Sequence, residues 1–196
     1  GAEARVAMAA AYDAIVIGRG QAGPSLAVRL AKAGRKTALI ERKHLGGTCV
    51  NDGCIPTKTL VASARAAHVA RRAADYGVRI EGPIEVDMKA VKARKDAVVN
   101  NSIQGLTGWL RGTDGLSLVW GHARFVGPHA LEVDGQLLEA PQIFINVGGR
   151  ATAPDWPGLQ QVPYLTDNSM MELDVLPQHL LVVGGRPLIV WHIERL

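Results

Sequence analysis

The sequence predicts an α/β fold in which a parallel sheet carries a glycine-rich turn, followed by a helical pair and a small β-meander. Three observations predict it. A short apolar run ends in a glycine-rich turn at residues 18–23; a second such run ends at Glu41; and a helix-forming, alanine-rich stretch separates both from several short β-like runs after residue 115. The chain has 196 residues, 47% hydrophobic and 20% charged. That length and balance suit one full core with part of a second, and they exclude disorder.

Tyr12-Asp13-Ala14-Ile15-Val16-Ile17 reads as a buried parallel strand stopping at Gly18. Gly18-Arg19-Gly20-Gln21-Ala22-Gly23 then fits G-x-G-x-x-G, and Ser25 to Ala31 reads as a helix stopped near Gly34. Strand, glycine turn and helix in that order are Rossmann-like. In such a turn Gly18 permits the tight bend, Gly20 lets backbone approach a pyrophosphate, and Gly23 lets the helix pack closely. The helix amino terminus faces the phosphates. Lys36 to Ile40 reads as the second strand, with Glu41 at its carboxyl end to accept both hydroxyls of an adenosine ribose and repel a 2′-phosphate. The motif alone leaves NAD and FAD both open.

Cys49 and Cys54 follow directly, within Leu45-Gly46-Gly47-Thr48-Cys49-Val50-Asn51-Asp52-Gly53-Cys54-Ile55-Pro56-Thr57-Lys58. In a regular helix, residues five apart point about 140° away from each other. Their Cα atoms also lie beyond the roughly 4.4 to 6.8 Å that a disulfide allows. The pair therefore predicts a distorted backbone over Asn51, Asp52 and Gly53, with a helix starting near Cys54 and Pro56 in its first turn. That helix terminus, with Lys58, is expected to lower a thiol pKa. Three other readings stand beside redox chemistry: two buried thiols that never pair, a zinc site from His44, Cys49, Cys54 and His68, and a structural disulfide.

The cysteine segment resembles the redox motif of the class I pyridine nucleotide-disulfide oxidoreductases, the family of glutathione reductase, dihydrolipoyl dehydrogenase and mercuric reductase. Residues 18–41 resemble that family's FAD site, and Gln142 to Arg150 resembles its strand ending in A-T-G-x-R, with Val147 in the threonine place. The resemblance implies an FAD-dependent enzyme that passes a hydride from NADH or NADPH to FAD, then electrons to a Cys49–Cys54 disulfide. Cys54 is implied as the thiol beside the flavin and Cys49 as the interchange thiol meeting a small-molecule disulfide or metal ion. Lys58 is implied near flavin N5. Gly47, Thr48 and Gly148 are implied at the cofactor, and His122-Ala123 near the adenine. Gly-Cys-Ile-Pro-Thr-Lys is closest to the mercuric-reductase-like members. The family works as a homodimer, an assembly in doubt for this chain.

Thr59 to Ala74 predicts a continuing helix with Arg65, Arg71 and Arg72 on a solvated face, and Asp87 predicts the cap of a second helix reaching Leu110. Ser117 to Trp120, Ala130 to Val133 and Gln142 to Val147 predict a small meander, with turns at Gly127-Pro128 and Asp134-Gly135. The expected division is an FAD-binding domain over residues 1–150, then a linker and the truncated start of an NAD(P)-binding domain over 151–196. Leu180 to Gly185 resembles the opening strand of that second domain, but the continuation departs from the family, with Trp191 where relatives carry a glutamate. An interrupted coding frame after Gly185 is the expectation. A noncatalytic nucleotide-binding fragment is the alternative. A plain NAD-dependent dehydrogenase domain accounts for residues 18–41 but leaves the cysteines unexplained.

The net charge is +4, with basic residues dispersed, so the electrostatic footprint of a nucleic-acid binder is missing. No apolar run approaches the roughly 20 residues of a membrane span. Without a recognisable export signal, and with Met8 a candidate start, the expected location is the cytoplasm.

Overall fold

The computed structural model describes residues 9–182. Its centre is a parallel sheet of β2 (Ala14–Ile17), β3 (Thr37–Glu41), β4 (Leu116–Trp120) and β8 (Gln142–Ile145), in the order β4-β3-β2-β8. β2 is aligned Ile15 to Ala38 on one side and Ile15 to Ile143 on the other. A second sheet, in the order β1-β7-β6-β5, contains β1 (Ala10–Ala11), β5 (Ala123–Gly127), β6 (Ala130–Val133) and β7 (Gln136–Glu139). Its last three strands form an antiparallel meander.

The parallel strands alternate between two cores, which is why they read as continuous apolar runs. Ile15, Ala38 and Ile40 pack against Leu131, Val133 and Leu138 of the meander. Val16 and Leu39 pack the other way, against Ala27 and Val28 of α1 (Ala22–Lys32) and Leu110 of α4 (Met88–Arg111). In α1 the buried positions Gly23, Ala27 and Ala31 recur every fourth residue and make one face. The result is three layers: helices, parallel sheet, meander.

Two β segments differ from expectation. Residues 116–120 and 142–145 belong to the parallel sheet, leaving only β5, β6 and β7 as the meander. Alternation within a four- or five-residue run is the same in either sheet, so the choice rests on partners distant in sequence. The return from β3 to β4 crosses the intervening helices, and a crossover connection yields a parallel pair. The run from Tyr12 is also split, because β1 pairs with β7 in the second sheet while β2 begins at Ala14.

Between β3 and β4 lie α2 (Gly47–Asn51), α3 (Cys54–Arg71) and α4. The Asp87 carboxylate caps α4 by accepting from Ala90 N at 3.1 Å, as expected. Arg65, Arg71 and Arg72 are exposed. After residue 150 regular structure thins to a 3-10 turn at Leu159–Gln161 and α5 (Asp167–Met170). This stretch is anchored to the helices. Met171 is buried and its Sδ accepts from Thr57 Oγ1 at 3.7 Å, while Glu172 pairs with Lys92 and Lys95. The expected strand at Leu180 is absent over residues 180–182, and Val183 to Leu196, including Trp191, lie outside the described residues. Among the described residues no helix is long and apolar enough to cross a membrane.

Candidate active site

The glycine turn sits at the carboxyl ends of β2, β3 and β8, and packing explains its residue types. Gly18 has φ +102, a left-handed value that L side chains rarely adopt, and a Cβ there would collide with the Asn146 carbonyl after β8. A Cβ on Gly23 would collide with the Gly18 carbonyl, so α1 can start only if that position is bare. Gly20 differs, since a Cβ there would meet nothing within 4 Å. Its backbone faces open space at the amino end of α1, which is the room a dinucleotide's phosphates need. Gly148 follows β8 in exposed chain with φ +65.

Glu41 anchors this turn. Its carboxylate accepts from Arg19 N at 3.0 Å, Arg42 N at 2.9 Å and Lys43 N at 2.8 Å. Gly121 N donates to the Glu41 carbonyl at 2.9 Å, which brings the chain entering β5 at Ala123 beside the end of β3. Arg42 Nη1 donates to His122 Nδ1 at 3.3 Å on the same rim.

The cysteine segment is fastened to the turn by backbone. Gly46 N donates to the Arg19 carbonyl at 2.9 Å, and a Cβ on Gly47, whose φ is +58, would lie 2.7 Å from Gly20 Cα. Asn51 closes the segment from within, its Nδ2 donating to the carbonyls of Leu45 and Gly47 at 2.9 Å each. The distortion expected between the cysteines is present: α2 ends at Asn51 and α3 begins at Cys54, with Gly53 between them at φ −122, ψ −113. Cys49 and Cys54, both thiols, are therefore close enough to share a hydrogen bond.

That bond, and then burial, push the Cys49 thiol above its ordinary value, with the Cys54 backbone N–H and then the Lys58 ammonium acting the other way. The expected lowering thus gives way at Cys49, because a thiol donating to its neighbour gives up its proton less readily. Lys58 lies one turn after Cys54 on the same side of α3 and is exposed, as is Thr48. Among the described residues no group of three or more His, Cys, Asp or Glu is gathered for a metal ion, so His44 and His68 do not join the cysteines.

Two contributors escaped the sequence reading. Asn51 was legible only as a turn-tolerant residue. Arg19 occupies an x of the motif, where the pattern carries no information, yet its side chain is 1% exposed beneath the turn.

Comparison with known proteins extends this geometry to a family. The model for pyridine nucleotide-disulphide oxidoreductases matches residues 12–187. The chain belongs to that family. Pyridine nucleotide-disulphide oxidoreductases use FAD, with NADH or NADPH as co-substrate. A mercuric reductase of Bacillus cereus is 36% identical over 174 residues, covering 89% of this chain and 27% of the relative. A dihydrolipoyl dehydrogenase of Chlamydia muridarum is 36% identical over 180 residues, covering 89% and 38%. The solved structure of RclA, an HOCl-induced flavoprotein disulfide reductase from Escherichia coli, superposes with a TM-score of 0.75 at 36% identity, covering 88% of this chain and 37% of that one. This chain therefore spans well under half the length of these oxidoreductases, in the part that holds the glycine turn and the cysteine pair.

Proposed function

We propose that this chain is the FAD-binding amino-terminal part of an NAD(P)H-dependent oxidoreductase whose Cys49–Cys54 pair reduces a disulfide or a metal ion, with mercuric-reductase-like acceptor chemistry. One observation carries the reading: a segment with two free cysteines, broken between them at Asp52 and Gly53, is fastened by backbone contacts to a glycine turn whose central residue faces open space. Gly18, Gly20 and Gly23 shape the phosphate cradle, Glu41 takes the adenosine ribose, and Gly47, Thr48, Lys58, Ala123 and Gly148 line the remainder. FAD, when bound, supplies a two-electron relay between nicotinamide and protein.

The protein's own chemistry is thiol exchange. The Cys49 thiolate attacks one sulfur of a substrate disulfide, forming a mixed disulfide and releasing the other sulfur as a thiolate that takes up a proton. Cys54 then attacks Cys49, releasing the second substrate thiol and leaving a Cys49–Cys54 disulfide, so the substrate gains the two electrons that the pair loses. The Lys58 ammonium favours thiolate at the pair. Similarity to named mercuric reductases supports a metal-ion acceptor, and similarity to a dihydrolipoyl dehydrogenase supports a disulfide. We assign residues 1–150 to the FAD-binding domain and 151–196 to a linker and the start of an NAD(P)-binding domain.

The visible spectrum of the purified chain tests this, with Cys54→Ser alongside. The expected result is a flavin band with a long-wavelength shoulder on reduction, lost in the variant. A colourless protein that takes up no added FAD would overturn the reading. The second reading is a nucleotide-binding fragment without turnover. Consumption of NADH or NADPH with a disulfide or Hg(II) acceptor separates the two.

A further inference from the structure

The motif leaves Arg19 without a role, since its place in G-x-G-x-x-G admits any residue. Here Arg19 is 1% exposed, with Nη2 donating to the Leu39 and Val119 carbonyls at 2.8 Å each and Nε to Leu39 at 3.3 Å. The Trp120 ring covers it, 4.4 Å from Cζ to the ring centroid. Burial pushes its pKa down to about 10, with the Glu41 carboxylate opposing, so the group is a cation at neutral pH. Removing a guanidinium from water costs several kcal/mol before any partner offsets it, and neutral carbonyls on two adjacent strands are modest compensation. Its charged neighbour is Glu41, two residues along β3 from Leu39, whose carboxylate accepts from Arg19's own backbone N–H. Cation and anion are thus fixed at one loop.

This arrangement answers an electrostatic difficulty. A ligand with a diphosphate must approach a turn whose rim carries the Glu41 anion, and like charges in a partly buried setting repel across several ångströms. We propose that Arg19 is a charge-balancing positioning residue, whose buried guanidinium offsets Glu41 at the glycine turn and so sets the preference for phosphorylated over neutral adenosine ligands. The proposal rests on the nucleotide-site reading above and deepens it. Arg19 acts through the field and through the strand ends it ties together, with the backbone of the turn making the contact.

Calorimetric titration of ADP and adenosine into the nucleotide-free 196-residue chain tests this at low salt, in wild type, Arg19→Met, Arg19→Lys, Glu41→Gln and the Arg19→Met/Glu41→Gln double variant. The readout is the ratio of the two affinities, which cancels any general loosening of the site. The ratio is expected to favour adenosine by about tenfold more in Arg19→Met, the effect of a unit charge over roughly 10 Å at an effective dielectric near ~20. It should stay near wild type in Arg19→Lys, which keeps the charge, and return in the double variant. ADP and adenosine weakened by one common factor in Arg19→Met would reduce Arg19 to a structural tie and overturn the proposal. Should that variant not fold, Arg19→Gln, which keeps hydrogen-bond donors without the charge, decides: a ratio shifted toward adenosine supports charge balance, and an unchanged ratio overturns it. Wild type binding neither ligand overturns the nucleotide site and this inference together. ADP binding with the expected ratios, but no FAD uptake, sinks only the flavin reading.

Discussion

The parallel sheet and the helix that carries the redox pair are built on opposite terms. Ala14, Ile15, Val16, Ala38 and Leu39 are fully buried, so β2 and β3 are closed on both faces by the molecule's own side chains. Over the 18 residues of α3 only Pro56 and Thr59 are buried, and Val61 is 60% exposed. The nucleotide turn therefore rests on a self-sufficient core. The cysteine segment gains its position from backbone bonds to that turn, and α3 and α4 are tied by polar contacts, among them Arg94 Nη1 to the Thr59 carbonyl at 3.0 Å.

The comparison is sharpened most by substitutions of unequal expected cost. Leu39→Ala, between α1, α4 and the sheet, should destabilise by about 3 kcal/mol through lost burial and the cavity left behind, read as a drop in the denaturant midpoint. Next comes the anchor of the 166–173 stretch, where Lys95, 2% exposed, is paired with Asp96 at 2.6 Å and Glu172 at 3.1 Å. Stripping both carboxylates in Asp96→Asn/Glu172→Gln leaves a buried ammonium uncompensated and should cost about 2 kcal/mol, discounted for Glu172's exposure.

Acid should reproduce that loss. Hydrogen bonds from Lys92 and Lys95 hold the Asp96 and Glu172 carboxyls below their ordinary values. Their contribution is present above the ordinary carboxylate range and disappears as pH falls through the lowered values, so wild type should approach the double variant in acid. Limited proteolysis after residue 150 across that range would report it. Equal sensitivity of wild type and variant at neutral pH would mean that the anchor holds nothing.

Val61→Ala on α3 should change stability by less than about 0.5 kcal/mol, because it removes little from the core. A larger loss in this chain would show that the exposed helix face is covered in solution. Cys54→Ala should leave stability nearly unchanged yet move the alkylation profile of Cys49 to lower pH, since it removes the side-chain acceptor that chiefly pushes Cys49 up. A profile that stays in place would assign the shift to burial.

Much of this was legible in the residues. The turn at 18–23, the helix after it, Glu41 at a strand end, the broken backbone between the cysteines and the Asp87 cap each follow from local constraints: a φ, a missing Cβ, a side-chain oxygen beside a free N–H. Arg19 was not legible, because what makes it matter is two carbonyls 20 and 100 residues away and an indole above it. Lys95 was not legible either, because its partner Glu172 lies 77 residues on. The short β runs showed strand character and hid their sheet.

By itself the sequence determined the periods, the breaks and the chemical pair, since those depend on neighbours within a few residues. Only the tertiary structure decided that β4 and β8 join the parallel sheet, that the Cys49 thiol is raised, and that a buried cation is held by the Leu39 and Val119 carbonyls beneath the glycine turn. Strand partnership and electrostatics are set by distances in space, and a chain order leaves those open until its elements pack.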